Sequence, residues 1–231
     1  MPRVRSPFPK DATVADALKQ LGDIPPRRVR MNPAPGTATE QDLLTVLDHT
    51  NRLCELVDRT LVEKPMGTLE SCLAGELIRL LGNFVVEHDR GIVTAPDGTL
   101  RLMPGLVRIP DVAFISWNQL PNRMYPNEPI ASLIPELAVE VLSENNTPAE
   151  MERKLKEYFL AGSQVVWLVN PDTRSVDAHT APDRFVRLHE GDELDGGTVL
   201  PGFRLPLEQL FARVEKQSPR RRRSRRKRGD S

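Results

Sequence analysis

The sequence predicts an α/β fold. Residues 137–142 (LAVEVL) and 165–169 (VVWLV) are short and almost continuously apolar, which is typical of strands buried on both faces. Residues 147–161 lie between them and have a helical pattern, so the order is strand, helix, strand. This order predicts two parallel strands joined by a crossover helix.

The ends of the crossover helix carry the residue types that are found at helix termini. Thr147 and Glu150 have the spacing of a capping box, Pro148 occupies the first helical position, and Gly162 ends the helix. A longer helix is predicted over residues 68–88, where apolar side chains recur every three or four positions. The other predicted elements are helices over 14–21, from 39 onward and over 207–214, strands over 53–56, 60–63, 92–95, 99–103 and 107–115, and a long loop over 118–134.

Charge and proline content divide the chain into three parts. Residues 1–36 are rich in proline and charge and predict a loosely attached leader. Residues 37–214 hold the elements of one domain. Residues 215–231 form a tail with eight basic side chains between Arg220 and Arg228, and such a like-charged run predicts disorder. Because the net charge of the whole chain is 0, the rest of the chain is acidic.

The sequence also excludes several classes of protein. No apolar run reaches the length of about 18 residues that a transmembrane helix needs. The N-terminal residues lack the apolar stretch of a signal peptide. Cys54 and Cys72 have no metal-ligand spacing and are expected to be reduced thiols, from which we expect a cytoplasmic protein.

Two acidic side chains interrupt apolar strands. Asp111 follows Pro110 in the segment RIPDVAFIS, and Glu140 lies in LAVEVLS. Burial of a carboxylate costs free energy unless the group is paired with a cation or binds a metal. Mg²⁺ prefers oxygen ligands, usually one or two carboxylates with substrate phosphate and water. Adjacent strands of one sheet would bring the two acids together, which makes them a candidate metal pair.

Lys154 lies on the crossover helix, at the border of the face that Met151 and Tyr158 mark as buried. A lysine in this position would reach over the carboxyl ends of the strands. There it would stabilise developing negative charge on a phosphate or orient the attacking water. Lys154 is therefore a third candidate for the site.

Six segments occur in a specific order along the chain. They are CELVDRTLVEK (54–64), PMGTLES (65–71), RIPDVAFIS (108–116), LAVEVLSENNTPAEMERKLKEYFLAG (137–162), VVWLVNP (165–171) and DGGTVLPGFRLPLEQLF (195–211). Together they resemble the Uma-like restriction endonuclease family of the PD-(D/E)XK nuclease superfamily. The resemblance implies a restriction-endonuclease-like fold, with a mixed central β-sheet flanked by α-helices.

The resemblance also implies a role for each candidate residue. Asp111 and Glu140 correspond to the two motif acids that bind Mg²⁺ or Mn²⁺, and Glu70 corresponds to a third ligand, direct or through water. Lys154 corresponds to a helix lysine that replaces the usual motif lysine, because this chain has Leu142 where the superfamily pattern has lysine. The implied activity is hydrolysis of phosphodiester bonds in DNA, and a homodimer is consistent with the family.

Each candidate also has a purely structural interpretation. Asp111 would equally cap a turn after Pro110, and Glu70 would suit the N-terminal dipole of its helix. Lys154 would be a solvated helix lysine. Glu55 is a weaker candidate for the site and would otherwise serve as a surface or ion-pair residue.

Two other functions remain open. A non-catalytic nucleic-acid-binding protein would keep the fold and use the basic tail as a tether, and a lack of metal binding would identify it. A hydrolase acting on sugars would use Asp111 and Glu140 as an acid and base pair, and would stay active when metal is removed.

Overall fold

The computed structural model describes residues 7–50, 52–65 and 67–212, so the basic tail lies outside the described residues. None of the described helices is both long and apolar enough to cross a membrane. Within the described residues the α-helices are α1 (Val14–Gln20), α2 (Glu40–His49), α3 (Thr68–Glu87), α4 (Pro148–Ala161) and α5 (Leu207–Phe211).

The strands form two larger sheets and one short hairpin. In chain order the strands are β1 (Cys54–Val57), β2 (Thr60–Glu63), β3 (Gly91–Thr94), β4 (Leu100–Met103), β5 (Leu106–Arg108), β6 (Val112–Ser116), β7 (Leu137–Val141), β8 (Val165–Asn170), β9 (Ser175–Ala181), β10 (Arg184–His189), β11 (Glu193–Asp195) and β12 (Arg204–Pro206).

The central sheet has six strands in the order β10-β9-β8-β7-β6-β3. Strands β7 and β8 are parallel and are joined by α4, which confirms the predicted crossover. The other pairs in this sheet are antiparallel, so the sheet is mixed. A second sheet has the order β2-β1-β5-β4, and β11 pairs with β12.

The central sheet lies between two apolar layers. Along β7, Leu137 and Val139 pack in the cluster that contains α3 side chains such as Leu77. Ala138 packs in the opposite cluster with α4 side chains such as Leu155. Because side chains alternate along a strand, Glu140 shares the α4 face with Ala138. The fold therefore directs this carboxylate into the layer between β7 and α4.

The single strand predicted over residues 107–115 is wrong, because the structure divides it in two. Strand β5 ends at Arg108 in the four-stranded sheet, and β6 begins at Val112 in the central sheet. Pro110 has no N–H group and so interrupts a hydrogen-bonded ladder at this point. Asp111 therefore lies where the chain passes from one sheet to the other.

The leader packs more closely against the domain than its composition suggested. Leu21 and Ile24 are buried in the apolar cluster on the α4 face of the central sheet. Arg28 is also buried and forms an ion pair with Glu150 of α4, with an N–O distance of 2.7 Å. Buried apolar side chains and ion pairs, among them that of Arg30 with Glu63, thus attach a segment that has little regular structure.

The start of α4 differs from the capping box that the sequence predicts. The hydroxyl oxygen of Thr147 accepts a hydrogen bond from the N–H of Glu150 at 3.0 Å, as in a capping box. The carboxylate of Glu150, however, accepts two hydrogen bonds from Arg28, at 2.7 and 2.8 Å. A guanidinium group is a charged, bidentate partner and therefore outcompetes a single backbone N–H group.

The close approach of the leader to α4 depends on Gly22. Its φ is +94°, and a Cβ atom at this position would lie 2.6 Å from the Cα atom of Glu150. We expect Gly22→Ala to lower the free energy of unfolding by about 2 kcal/mol or more, through backbone strain and displaced packing together.

Gly105→Ala is the matched control for Gly22→Ala. The φ of Gly105 is +78°, but an added Cβ atom would meet nothing within 4 Å. Only the backbone strain of about 1 kcal/mol is then expected. Urea unfolding measures both variants, and equal losses would contradict the tight contact between the leader and α4.

Candidate active site

Asp111 is held against β7 through both its backbone and its carboxylate. Its N–H group donates to the carbonyl of Val139 at 2.9 Å, and its Oδ2 accepts from the N–H group of Val141 at 2.7 Å. The regular ladder begins one residue later, where Val112 pairs with Val139. Burial raises the pKa of Glu140, and the Asp111 carboxylate raises it further, which requires the two carboxylates to lie near one another. The structure thus brings these two acids together.

Glu140 is enclosed between β7 and α4 and is 4% exposed. Its Oε1 accepts a hydrogen bond from the ammonium group of Lys154 at 2.9 Å and another from the hydroxyl of Tyr158 at 2.7 Å. Both partners lie on α4, one turn apart. The interruption of an apolar strand by this acid is therefore explained by a cation and a hydroxyl aimed at one of its oxygens.

Lys154 is 2% exposed and is not the solvated helix lysine of the structural interpretation. Besides Glu140, its ammonium group forms an ion pair with Glu55 of β1, with an N–O distance of 3.3 Å. Lys154 therefore bridges two buried carboxylates from different sheets. Its side chain lies between α4 and strands β1 and β7, and its role over the carboxyl ends of the strands stays a prediction.

A second lysine, Lys64, completes the immediate surroundings of the two acids. It follows β2, and its ammonium group lies 2.9 Å from Oδ1 of Asp111 and also donates to the carbonyl of Ile109. Sequence reasoning did not single out Lys64, since its partner is distant in sequence and belongs to a different sheet. The only signal was its position at the end of an apolar strand in one of the family-like segments.

Glu55 and Arg108 extend the charged group into the layer between the two sheets. Glu55 is fully buried and accepts from Arg108 at 2.7 Å and from the N–H group of Ile109 at 3.1 Å. Arg108 also pairs with Glu157 of α4, which in turn accepts from Arg153 at 2.7 Å. Glu55 is thus an ion-pair residue, as one interpretation of the sequence held, but it is buried and adjoins the site.

Burial raises the pKa of Glu140, because the ionised carboxylate loses its hydration. The cations of Lys154 and Lys64 oppose this shift, whereas the nearby carboxylates of Asp111 and Glu55 add to it. Burial and the Glu140 carboxylate also raise the pKa of Tyr158 well above its ordinary value. Tyr158 is therefore a neutral hydrogen-bond donor at pH 7. Additional positive charge near Glu140 would favour the ionised form of the Glu140 carboxylate.

Glu55 and Lys154 are held in their charged forms. Burial acts to raise the pKa of Glu55, but the cations of Lys154 and Arg108 outweigh it and hold this pKa below its usual range. Burial acts to lower the pKa of Lys154, but the carboxylates of Glu140 and Glu55 outweigh it and raise this pKa. The bridge between the sheets is therefore a full ion pair at neutral pH.

Glu70 lines a cleft of about 300 Å³ that reaches Leu142, two residues after Glu140. Its carboxylate turns back toward Gly67, where an added Cβ atom would lie 2.1 Å from its Oε2. The loops that follow β7 and β8 contribute other lining residues, among them Leu142, Ser143 and Asp172. Ligands of α/β sheets commonly bind at the carboxyl ends of parallel strands, where this cleft opens.

Three acids are not assembled into one metal cage. Among residues 7–50, 52–65 and 67–212, no group of three or more His, Cys, Asp and Glu side chains is arranged to hold a metal ion. The role of Glu70 as a third ligand therefore stays a prediction, for which its side chain would have to turn away from Gly67.

The donors nevertheless suit a divalent cation that binds partly through water. Asp111 and Glu140 offer oxygen atoms from adjoining strands, and the side-chain hydrogen bonds described for Glu140 all go to Oε1, which leaves the lone pairs of Oε2 for a ligand. Mg²⁺ usually takes one or two carboxylates and keeps several waters. The chemistry of this pair therefore fits one such ion.

Comparison with known proteins gives one matching family and a similar solved structure. The chain matches the model of the Uma2 family, described as "Putative restriction endonuclease", over residues 40–208. No curated protein matches. Among solved structures it is similar to "a putative nuclease belonging to DUF820" from Anabaena variabilis, with a TM-score of 0.65 and 16% sequence identity. The match covers 75% of this chain and 98% of that chain. At this identity the likeness shows the fold, which is restriction-endonuclease-like.

Lys154→Met tests the buried bridge. The substitution leaves Glu55 and Glu140 as buried carboxylates without their shared cation, so we expect it to lower the free energy of unfolding by about 3–5 kcal/mol. Lys156→Met is the matched control on the same helix, because Lys156 forms an exposed pair with Glu152 and its loss should change stability little. Urea unfolding measures both. A loss no larger than that of the control would show that the bridge does not stabilise the fold.

Proposed function

This chain belongs to the Uma2 restriction endonuclease family, and from that premise we propose that it is a metal-dependent endonuclease that hydrolyses phosphodiester bonds of DNA. The family and the fold support nuclease activity in general. The observation that carries the finer proposal is the proximity of the Asp111 and Glu140 carboxylates, which are both buried and each paired with a lysine.

In this proposal Asp111 and Glu140 hold one Mg²⁺ or Mn²⁺ ion, and Glu70 contributes from the edge of the cleft. A divalent cation, when bound, draws negative charge from the scissile phosphate and favours deprotonation of water. The chain itself supplies Asp111 just before β6 and Glu140 near the carboxyl end of β7, and the cleft begins at Leu142.

Lys154 has two roles in the proposed reaction. Its ammonium group holds Oε1 of Glu140 and would leave the other oxygen for the ligand. Its positive charge also stabilises negative charge that develops on the phosphate, and a buried charge acts more strongly than one in water. Tyr158 fixes the same carboxylate from the neighbouring turn of α4 and keeps its proton at neutral pH.

The proposed substrate, DNA, must approach an acidic cleft. Glu70, Glu144 and Asp172 line it, and these carboxylates repel phosphate until a metal ion is bound. The basic tail offsets this repulsion as a tether for DNA. We further propose that the protein works in the cytoplasm, where its free thiols Cys54 and Cys72 stay reduced, and that it forms a homodimer, as is consistent with its family.

One observation favours a second function. The described residues do not include a cage of three metal-binding side chains, and a protein that only binds nucleic acid would not need one. Calorimetric titration with Mn²⁺ separates the two functions. Binding of Mn²⁺ that Asp111→Asn removes supports the nuclease, whereas a lack of binding supports the non-catalytic protein.

Substitution of the two acids tests the nuclease directly. We expect Asp111→Asn and Glu140→Gln each to reduce Mg²⁺- or Mn²⁺-dependent nicking of plasmid DNA by about three orders of magnitude or more, because each removes a charged ligand. Glu152→Gln, an exposed acid of α4, is the control and should keep the wild-type rate. Circular dichroism verifies that the variants are folded. Undiminished cleavage by either site variant would contradict the assignment of Asp111 and Glu140 as the metal-binding acids.

Deletion of residues 220–231 tests the tether. If all eight basic side chains met phosphates, the slope of log affinity against log salt would reach roughly −7, and fewer contacts would make it proportionally smaller. We expect the truncated protein to bind DNA more weakly at low salt and with a shallower slope, as measured by fluorescence anisotropy. An unchanged slope would mean that the tail does not contact DNA.

A further inference from the structure

Lys64 is the second lysine at the pair of acids and lies beside Asp111. Its side chain is 5% exposed, and its ammonium group lies 2.9 Å from Oδ1 of Asp111. The carbonyl of Ile109 accepts a second hydrogen bond from the same group, which fixes it at the junction of the two sheets. The other oxygen of Asp111 accepts from the N–H group of Val141 at 2.7 Å. The two oxygens of Asp111 thus have different partners, Lys64 for Oδ1 and the backbone of β7 for Oδ2.

Each of the two carboxylates faces a lysine. Asp111 with Lys64 and Glu140 with Lys154 give two ion pairs of zero net charge. Farther out, Glu55 pairs with Arg108, and Arg153 pairs with both Glu157 and Asp58. One divalent cation would therefore bring a net charge of about +2 to this site, the amount that offsets a phosphodiester as it gains a second negative charge on attack by water.

We infer that Lys64 is a built-in second cation of the site: it positions Asp111 and takes the place that a second metal ion would occupy beside this carboxylate. The inference rests on the proposed function and adds that the site takes a single divalent ion. Sites with two metal ions place a carboxylate between the metals. Here the ammonium group already neutralises one side of that carboxylate.

The inference makes opposite predictions for metal affinity and for rate. Without the Lys64 charge the site has a net charge of −1, so a divalent cation should bind about tenfold more tightly or better. With a divalent ion bound, the site without the Lys64 charge has a net charge of +1 instead of +2. Negative charge on the reacting phosphate is then stabilised less. A lysine that merely supported the fold would lower metal affinity and rate together when it was replaced.

Lys64→Gln is the variant of choice, because glutamine keeps hydrogen-bond donors for Asp111 and Ile109 but carries no charge. Lys64→Arg retains the charge, and Lys156→Met removes an exposed lysine elsewhere. Each full-length protein is titrated with Mn²⁺ in a calorimeter, and kcat and KM for DNA nicking are measured at saturating Mn²⁺. Thermal unfolding with and without Mn²⁺ verifies folding and gives a second measure of metal binding.

We expect the wild-type protein to bind one Mn²⁺ per chain. Lys64→Gln should bind Mn²⁺ about tenfold more tightly, gain more thermal stability from the ion and lose kcat by at least about tenfold with little change in KM. Lys64→Arg and Lys156→Met should keep the affinity of the wild type within about threefold. Rescue by arginine would assign the effect to the charge.

Two results would overturn the inference while leaving the nuclease in place. One is weaker Mn²⁺ binding by a folded Lys64→Gln protein, and the other is two Mn²⁺ ions per wild-type chain together with metal-dependent cleavage. The number of Mn²⁺ ions bound per wild-type chain is measured without any variant. It therefore tests the inference even if Lys64→Gln does not fold. Wild-type protein that neither binds Mn²⁺ nor cleaves DNA would overturn the proposed function and this inference with it.

Discussion

The ammonium group of Lys154 joins the parts of the structure on which the site depends. It lies between Glu140 of the central sheet and Glu55 of the second sheet, and it is carried by the helix that connects β7 with β8. Each of these groups is expensive to bury alone, and the loss of one partner exposes the others to that cost. The bridge therefore specifies how far α4 and both sheets lie from one another.

The same bridge helps to explain how the carboxylates of Asp111 and Glu140 can lie near one another. Like charges in this arrangement repel, and both acids are removed from water. Lys154 offsets the charge of Glu140, and Lys64 offsets that of Asp111. Because the two lysines come from different elements, α4 and the end of β2, the pair forms only when both sheets have assembled. The site is thus a product of the whole fold and not of one motif.

Sequence alone identified the parts of the site that leave a local signal. Glu140 interrupts an apolar strand, and Lys154 lies at the edge of the apolar face of a helix whose start and end are marked by Thr147 and Gly162. Such patterns report burial and direction, so the crossover unit and the position of both residues followed. Asp111 could be assigned only together with the neighbouring motifs, because an acid after a proline also suits a turn.

The partners of these residues could not be predicted, because they depend on which sheets adjoin. Lys64 and Arg108 lie at strand ends, where charged residues are usually solvated. Their burial follows from the break at Pro110, which sends β5 and β6 into different sheets and which the apolar pattern of residues 107–115 conceals. The leader is a similar case, since proline content indicated its irregular backbone but not the burial of Leu21, Ile24 and Arg28.

The position of the metal ion tests the central claim most directly. Crystals grown or soaked with Mn²⁺ and measured near the manganese absorption edge locate the ion by its anomalous scattering. One Mn²⁺ within about 2.0–2.6 Å of oxygen atoms from both Asp111 and Glu140 is the expected result. An ion bound elsewhere, or to only one of the two carboxylates while DNA cleavage persists, would contradict the assignment of this pair as the metal site.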